Sequence, residues 1–421
     1  MSVIERIFRA AVVTPALAVF DLPRRRRPRP DGNLNPMPYT AFDALQEGRA
    51  TLWQRLGNAR RAGKLSAGFL VRRGALYGWQ AAREVVSPLR VTARLLRAVL
   101  ETRVERALAL VPEIVRPEVG TVHVVDCGAA GEYHPIWDHF GNAITIHMFE
   151  PEKKAFEQLT REYAQNPKVR IYETVLASGP GELTLNVFRW PRGSSIYRPN
   201  DSYVPDTFAR RHYEVVNQVT FPAKPLSEVL RGVDVSFLKA DVEGAELEII
   251  RGAEALLPGC VGLELEIWFS RNVLAGAPTA AEVIAYCQAQ GFTLALVDTP
   301  RHWHYLLPGR AYESKGWVGQ TDTLFLRMPH DVVELVRSGA WPRGKLAVAA
   351  SIYLVYRSYE FAFKLIELAV RAGVLKADDP VATRTLEAVR RLSGGDRLVT
   401  YSTLRRWLTR VEGTDPYSTL S

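Results

Sequence analysis

Short apolar runs alternate with helical patterns between Val119 and Met328. Continuous apolar strands that are separated by helices are typical of a parallel sheet with helices on both faces. The sequence therefore predicts an α/β fold with a doubly wound, mostly parallel sheet. The last two runs are joined by a loop, which favours an antiparallel pair at one edge. The predicted strands are Val122–Val125, Ile144–Phe149, Val169–Tyr172, Leu183–Val187, Val235–Ala240, Val261–Ile267, Thr293–Val297 and Thr323–Leu326.

Helical patterns flank this region on both sides. A Pro- and Arg-rich arm and a basic helical region precede it. After it, apolar residues at helical spacing predict one long helix at Lys345–Ala372, and Asp379-Pro380 has the residue types of a cap followed by a first helical position. We therefore divide the chain into four segments: 1–38 (arm and linker), 39–118 (basic helical region), 119–329 (α/β domain) and 330–421 (C-terminal helical region).

Charge is distributed unevenly along the chain. The net charge is +9, yet residues 1–118 contain 21 Lys and Arg against 10 Asp and Glu, whereas the remainder contains 33 against 35. A basic segment of this kind suits an anionic partner such as a membrane surface, and we consider nucleic acid a less suitable partner. A solvated basic helical face is the alternative. The longest apolar segments, Ala10–Phe20 and Leu346–Tyr356, have about half of the roughly 20 residues that a membrane span needs.

The three cysteines, Cys127, Cys260 and Cys287, lack the spacing of a metal site and are odd in number. A reduced compartment is the simplest interpretation. We therefore expect a cytoplasmic protein, with peripheral attachment to the inner face of the membrane through its basic region as an extension of that expectation.

Four carboxylates follow the predicted strand Val235–Ala240. Asp241 ends the strand, Glu243 and Gly244 follow, and Glu246 and Glu248 open a helix. Acidic residues in the first turn suit the helix dipole, which accounts for the last two. Asp241 and Glu243 instead stand at the carboxyl edge of a strand, where open α/β sheets bind their ligands. Like charges this close repel unless a positive group lies nearby.

A second corner of this kind follows the first strand. Asp126 precedes Gly128 and Gly131, and Glu150 ends the next strand, 24 residues after Asp126. Glycines allow close backbone approach, and a strand-end carboxylate can accept hydrogen bonds from ribose hydroxyls. An acid before the first glycine opposes a pyrophosphate but suits a cation. S-adenosylmethionine carries a sulfonium and an ammonium group, so charge favours it over NAD or ATP.

With these residues the chain resembles the FkbM-type methyltransferases, a branch of the class I S-adenosylmethionine-dependent fold. The resemblance covers about Val119 to Arg327 and depends most on the run from Lys239 to Gly252. It implies a seven-stranded sheet. It also implies that Val175–Ala177 borders the adenine and that Glu150 holds the ribose. The cofactor-binding residues implied in this way are Asp126, Gly128, Ala129, Gly131, Glu150, Pro151, Ala177 and Asp241.

Methyl transfer from a sulfonium is an in-line displacement in which the protein positions the reactants and removes a proton from the acceptor. A hydroxyl needs a base for this step. The predicted catalytic residues are Asp241, Glu243 and Glu266, and His134 is a further candidate base. Clustered carboxylates could also bind a divalent cation, but no metal-loop spacing is present, and we expect no metal site.

Known members of this family methylate hydroxyls of polyketides and sugars. The sequence therefore predicts an S-adenosylmethionine-dependent O-methyltransferase that acts on a hydroxyl of a saccharide, a glycolipid or a related metabolite. The alternative is a non-catalytic scaffold with a methyltransferase-like core, anchored to an anionic surface by its basic N-terminal region. The pair Asp241 and Glu243 discriminates between them, because a scaffold needs no carboxylate pair at a strand end.

Overall fold

The computed structural model describes residues 101–128, 132–151, 153–306 and 315–393. From Arg103 onward these residues belong to one compact unit. The predicted arm, most of the basic helical region and the last predicted C-terminal helix lie outside the described residues.

Thirteen strands are found in the described part of the chain. They are β1 (Val122–Cys127), β2 (Ile144–Phe149), β3 (Val169–Tyr172), β4 (Val175–Leu176), β5 (Gly181–Phe188), β6 (Arg198–Pro199), β7 (Val215–Lys224), β8 (Val235–Ala240), β9 (Gly262–Trp268), β10 (Leu274–Ala275), β11 (Thr293–Val297), β12 (Arg301–Trp303) and β13 (Trp317–Leu326).

Nine α-helices are described with both of their ends. They are α1 (Val111–Val115), α2 (Lys153–Glu162), α3 (Leu226–Val229), α4 (Glu246–Gly252), α5 (Ala280–Ala289), α6 (Pro329–Arg337), α7 (Lys345–Val355), α8 (Tyr359–Arg371) and α9 (Pro380–Ser393). Short 3-10 helices lie at Pro135–Phe140, Pro191–Gly193, Val204–Asp206 and Leu257–Gly259.

The predicted doubly wound sheet is confirmed. Its strand order is β11-β13-β9-β8-β1-β2-β3, with β12 added beside β13. The pairs among β3, β2, β1, β8 and β9 are parallel, whereas β13 is antiparallel to both β9 and β11. The strand order reverses at β1, since β2 lies on one side of it and β8 on the other. The carboxyl ends of β1 and β8 therefore form the switch point at which such sheets bind ligands.

Successive side chains of a strand point to opposite faces of the sheet, so the apolar strands make both faces apolar. Helices cover each of these faces. Val124 and Phe237 pack into a core shared with α1 and the C-terminal helices. Val125 and Leu238 pack on the other face, against α4 and α5. Lys345 in α7 is almost fully buried, and its Nζ donates to Oδ1 of Asp234 (2.7 Å), to the Ser236 hydroxyl and to a backbone carbonyl. This lysine ties the C-terminal helices to the sheet.

Several predicted elements differ from the structure. Leu183–Val187 is a strand, but it belongs to a separate sheet of order β4-β7-β5. The polar alternation of β7 and its Pro222 concealed the partner strand from the apolar-run pattern. The single long helix predicted at Lys345–Ala372 is two helices, since Arg357 adopts a left-handed φ of 60° between them.

The helix start that the sequence predicted at Asp379-Pro380 agrees with the structure. The helix predicted from Asp379-Pro380 begins there, with Oδ1 of Asp379 accepting the N–H of Val381 at 2.9 Å. Helix α5 begins at a capping box that is formed by Thr279 and Glu282. None of the described helices is long and apolar enough to cross a membrane.

Candidate functional site

The ends of β1 and β8 touch directly at the switch point. The N–H of Asp241 donates to the carbonyl of Cys127 at 3.1 Å. Gly128 follows with a left-handed φ of 81°, and a Cβ on it would lie 1.8 Å from the carbonyl oxygen of Asp241. Only glycine fits this position, because a side chain would force the two loops apart. The glycine that the sequence predicted for close approach therefore brings the two acidic corners together.

Lys239 stands between the acids of these corners. Its Nζ lies 3.7 Å from Oδ1 of Asp126 and 3.7 Å from Oδ2 of Asp241. Oδ2 of Asp126 accepts the N–H of His134 at 2.9 Å, whereas Oδ1 has no hydrogen-bond partner among the described residues. Burial raises the pKa of Asp126, and Lys239 opposes that shift. The repulsion that the sequence implies is thus partly offset by a lysine.

His134 has a structural role in this arrangement. Its Nδ1 accepts the N–H of Ile136 at 3.2 Å and so caps the short helix Pro135–Phe140. A ring nitrogen that is engaged in this way is a poor candidate for the base that the sequence suggested.

The loop from Asp241 to Glu246 is strained and internally bonded. Glu243 and Gly244 have left-handed φ angles of 54° and 97°. Oε1 of the buried Glu246 reaches back to accept the N–H groups of Val242 (3.0 Å) and Gly244 (3.2 Å). Left-handed backbone at a non-glycine residue is costly and is found most often at functional sites.

Glu246 and Glu248 both serve the structure of this corner. Glu246 holds the loop, and Oε2 of Glu248 accepts the hydroxyl of Ser178 at 2.5 Å. Both residues lie in the first turn of α4, as the sequence predicted.

Glu243 is the most perturbed acid beside the open space of the site. Its side chain is buried, and its Oε2 has no hydrogen-bond partner in the described part of the chain. The Ser195 hydroxyl donates to its backbone carbonyl at 2.6 Å and fixes the strained residue. Burial, followed by the charges of Asp241 and Glu246, raises the pKa of Glu243 to about 8.

Glu266 lies on β9, two residues before the end of the strand, and not at its end. Its side chain is buried, and Oε1 pairs with Arg301 of β12 at 2.9 Å. Asp322 of β13 stands opposite in the register. Burial and the neighbouring charge of Glu243 raise the pKa of Glu266, whereas Arg301 lowers it. Because Arg301 belongs to the strand added beside β13, the sequence pattern could not identify this partner.

A cavity of about 450 Å³ opens at the switch point. Its polar wall contains Glu150, Asp241 and Glu243 beside Cys127 and Gly128, and its apolar wall contains Phe149, Leu159, Val175 and Leu176. The second sheet closes it with Leu183, Leu185 and Phe221, and the cavity is also lined by Arg192 and Ser194. This volume is within the usual range for small-molecule sites.

The predicted site residues are distributed unevenly around this cavity. Gly128, Glu150, Pro151, Asp241 and Glu243 line it. Three others are not among its lining residues, namely Ala177, Glu266 and Asp126. Oδ1 of Asp126 lies 3.7 Å from Nζ of Lys239. Ala129 and Gly131 lie outside the described residues.

Ala177 is displaced from the cavity for a packing reason. Its backbone carbonyl lies against Gly252, where a Cβ would come within 2.0 Å of it. Its predecessors Val175 and Leu176 line the cavity instead.

The segment from Arg189 to Tyr197 has the loop character and hydroxyls of an acceptor-contact loop or of a hairpin end, and its Arg192 and Ser194 line the cavity. Sequence reasoning missed the apolar lining residues of the second sheet, because their place depends on a sheet that the apolar pattern did not reveal.

The side chains present at this site suit a cationic nucleoside. A carboxylate at the end of β2, an apolar wall and a glycine that allows close backbone approach match a ribose, a base and an extended tail. The buried Oδ1 of Asp126 has no hydrogen bond to any described residue, and Nζ of Lys239 lies 3.7 Å from it. Among the described residues, no three His, Cys, Asp or Glu side chains are arranged to hold a metal ion.

Comparison with known families agrees with this geometry. Residues 126–294 match the family model described as the methyltransferase FkbM domain. These residues form an FkbM methyltransferase domain. The FkbM domain thus extends from the end of β1 to the start of β11, and it includes Asp126, Glu150, Asp241 and Glu243. A search of curated proteins found no match.

Solved structures of methyltransferases show a distant similarity. Precorrin-6y C5,15-methyltransferase from Geobacter metallireducens is 11% identical, with 52% of this chain and 87% of that chain covered and a TM-score of 0.27. Magnesium protoporphyrin IX methyltransferase from Synechocystis, solved with bound SAM, is 9% identical over 55% of this chain and 81% of that chain, with a TM-score of 0.24. At TM-scores this low, neither similarity supports an argument about the function of the FkbM domain.

Proposed function

We propose that this protein is an S-adenosylmethionine-dependent O-methyltransferase that transfers a methyl group to a hydroxyl of a saccharide, a glycolipid or a related metabolite. The observation that carries the proposal is the cavity in which Glu150, Asp241 and Glu243 converge at the switch point of an FkbM domain. Such a transfer requires a carboxylate that binds the cofactor, here Glu150 at one strand end. It also requires an acid with a raised pKa near the acceptor, here Glu243 after another strand.

The residues that would hold the cofactor follow from the chemistry of the cavity wall. Glu150 would accept hydrogen bonds from the ribose hydroxyls, and Val175 and Leu176 would border the base. Asp241, supported by the buried Asp126, would attract the cationic end. When bound, S-adenosylmethionine supplies an electrophilic methyl group. Oδ2 of Asp241 lies 3.7 Å from Nζ of Lys239. Because this carboxylate already has a cationic neighbour, we assign it to positioning the cofactor and not to removing the proton.

Glu243 is the proposed base. It lines the cavity, and burial together with Asp241 raises its pKa to about 8, which suits a base that works near neutral pH. As the acceptor oxygen forms its bond to the methyl carbon, the bond from that carbon to the sulfonium sulfur would break and leave a neutral thioether, and Oε2 of Glu243 would take the hydroxyl proton. Glu266 is a weaker candidate, because its Oε1 is engaged by Arg301 at 2.9 Å.

Calorimetry with S-adenosylmethionine tests the cofactor site. We expect the intact protein to bind it, and we expect Glu150→Ala to weaken binding at least tenfold through loss of the ribose hydrogen bonds. Glu173→Ala removes an exposed acid just after β3 and should change the affinity less than twofold. If the intact protein does not bind and Asp126→Ala changes nothing, the methyltransferase proposal fails and the scaffold alternative takes its place.

Transfer of a labelled methyl group tests the reaction. Incubation with cell-extract glycans and lipids, followed by mass spectrometry, should place the label on oxygen. A label on nitrogen or carbon would contradict O-methylation while leaving cofactor use intact.

The basic region is proposed to bring this activity to an anionic surface on the cytoplasmic side of a membrane. Residues 1–118 contain 21 basic and 10 acidic residues, and this excess of positive charge supports that role. Co-sedimentation with anionic vesicles should fall when residues 1–38 are removed. Unchanged sedimentation after truncation would refute the surface role.

A further inference from the structure

The mouth of the cavity carries a charge opposite to that of its interior. The acids Glu150, Asp241 and Glu243 line the cavity, whereas Arg192 is the one basic residue among its lining residues in the described part of the chain. Arg192 is exposed, and it makes no hydrogen bond or ion pair with the rest of the protein there. A side chain that borders a cavity and has no partner among the described residues is available to a ligand.

The turn that presents Arg192 is firmly held. Arg192 lies in the short helix Pro191–Gly193. Gly193 packs on the indole of Trp190, where a Cβ would lie 2.6 Å from the ring. The Ser194 hydroxyl then accepts the N–H of Phe188 at 3.1 Å. This turn therefore holds the backbone of Arg192 at the cavity mouth without support from the side chain itself.

Two more arginines stand on the adjoining turn. The N–H of Trp190 donates to the carbonyl of His212 at 3.0 Å, which joins the Trp190 turn to the segment that contains Arg210 and Arg211. Both arginines are exposed and make no ion pair within the described residues. The neighbouring Arg189 differs, since it is paired with Glu214 at 2.8 Å. Trp190 itself remains 40% exposed.

We propose that Trp190, Arg192, Arg210 and Arg211 form a basic rim that binds a phosphate group carried by the methyl acceptor. This inference rests on the proposed function and names the class of its substrate: a phosphorylated metabolite or glycolipid. The guanidinium fork matches phosphate oxygens in a bidentate manner, and the Trp190 ring can cover the adjoining part of the ligand.

The separation of charge gives the rim a role in orientation. The acidic interior repels a phosphate and accepts a neutral hydroxyl. The rim attracts the phosphate and keeps it outside. An acceptor that is held at both points presents its hydroxyl to Glu243 and its anionic part to Arg192, which lowers the entropic cost of alignment. The rim is therefore a specificity element for acceptors with a hydroxyl and a phosphate on the same molecule.

The experiment compares two triple variants of the full chain. One is Arg192→Ala with Arg210→Ala and Arg211→Ala. The matched control removes the same charge at three exposed arginines far along the sequence from the rim, which also make no ion pair within the described residues: Arg116→Ala, Arg161→Ala and Arg231→Ala. Inorganic pyrophosphate binding is measured by calorimetry at low salt. We expect at least a tenfold loss of affinity in the rim variant and less than a twofold change in the control.

A second arm distinguishes the source of the phosphate. Partitioning onto phosphatidylcholine vesicles with and without phosphatidylglycerol is measured for both variants. If the rim variant loses affinity for pyrophosphate but partitions normally onto anionic vesicles, the acceptor is a soluble phosphorylated molecule. If the rim variant also partitions less onto anionic vesicles, the phosphate belongs to a lipid headgroup. If the rim and control variants behave alike in both arms, the proposal is overturned.

Cofactor binding by the same variants separates this inference from the proposed function. Affinity for S-adenosylmethionine should be unchanged in the rim variant. A tenfold loss there would assign Arg192 to the cofactor and overturn the rim, while the methyltransferase function would stand. Absence of cofactor binding in the unmodified protein would instead remove the proposed function itself.

Discussion

Nζ of Lys239 lies 3.7 Å from Oδ1 of Asp126, and the two residues are register partners on adjacent parallel strands. Their side chains are 12% and 1% exposed. The pair lies behind the cavity, where it couples the first acidic corner of the FkbM domain to the second. Asp241, at 3.7 Å from the same nitrogen, is the member that reaches the cavity.

Replacing Lys239 leaves the buried carboxylate of Asp126 without its cationic partner. We expect Lys239→Met to reduce the free energy of unfolding by about 3 kcal/mol near pH 8, as is usual when one partner of a buried pair is removed. Burial already raises the pKa of Asp126 and Lys239 lowers it, so the variant's Asp126 should hold its proton to higher pH. The loss should therefore be smaller at pH 5 than at pH 8, because a larger fraction of this carboxyl is neutral at the lower pH.

Chemical denaturation at both pH values measures this difference. Lys168→Met is the matched control, because Lys168 faces the largely exposed Asp138 at 4.0 Å and should contribute less than about 1 kcal/mol. Equal losses at pH 5 and pH 8 would contradict the electrostatic explanation.

Gly128 is expected to tolerate no side chain. Gly128→Ala places a Cβ 1.8 Å from the carbonyl oxygen of Asp241 at a φ of 81°. Strain and overpacking together should lower the free energy of unfolding by about 2–5 kcal/mol. Gly179→Ala, where a Cβ meets nothing within 4 Å, should change it by less than about 0.5 kcal/mol. Thermal denaturation of both variants measures the contrast, and similar melting temperatures would refute it.

The parts of the fold that sequence could predict are those governed by local pattern. Apolar runs identified the parallel strands, since β1, β2, β8 and β9 are buried on both faces over most of their length. The acids Asp126, Glu150 and Asp241 could be assigned to one edge, because the carboxyl ends of parallel strands meet there. Their spacing along the chain carried that information without any knowledge of the packing.

The parts that could not be predicted depend on contacts between distant elements. Glu266 looked like a strand-end base, but a cation from the extra strand β12 engages it. Ala177 looked like an adenine neighbour, but its carbonyl packs on Gly252 and leaves that place to Leu176. Strand β7 alternates polar and apolar residues, so the sheet that it forms with β4 and β5 escaped the apolar-run pattern.

A histidine pair should make stability depend on acidity. Nε2 of the buried His147 lies 3.0 Å from Nδ1 of His123, and its Nδ1 lies 2.9 Å from the Tyr172 hydroxyl. Burial, then His123, lowers the pKa of His147 to about 4. A folded pKa below the ordinary value near 6.5 means that the unfolded chain binds the proton first. The free energy of unfolding should thus fall between about pH 6.5 and pH 4, by up to about 1.4 kcal/mol per pH unit for one proton.

Urea denaturation across this pH range measures the slope. His147→Gln should flatten it and cost about 1 kcal/mol at pH 7 through weakened hydrogen bonds. The exposed His330 supplies the control, since His330→Gln should leave the slope unchanged. A slope that persists in His147→Gln would assign the acid sensitivity to other groups.

Glu243 should control the pH dependence of methyl transfer. Burial, then Asp241, raises its pKa to about 8, so the fraction of ionised base, and with it kcat, should rise as the pH approaches 8 and level off above it. Glu243→Gln removes the base but keeps the shape of the side chain. We expect kcat to fall about 10²–10⁴-fold and the rise with pH to disappear. Initial rates with labelled S-adenosylmethionine and the acceptor found in the extract assay measure both effects.

The matched control for this prediction is Glu248→Gln. Glu248 belongs to the same run of acids, but it is bonded to Ser178 and does not line the cavity. Its substitution should leave the pH profile in place, because no proton of the acceptor can reach it. If Glu243→Gln keeps the rise in kcat near pH 8 while Asp241→Asn abolishes it, then Asp241 removes the proton and Glu243 only shapes the loop.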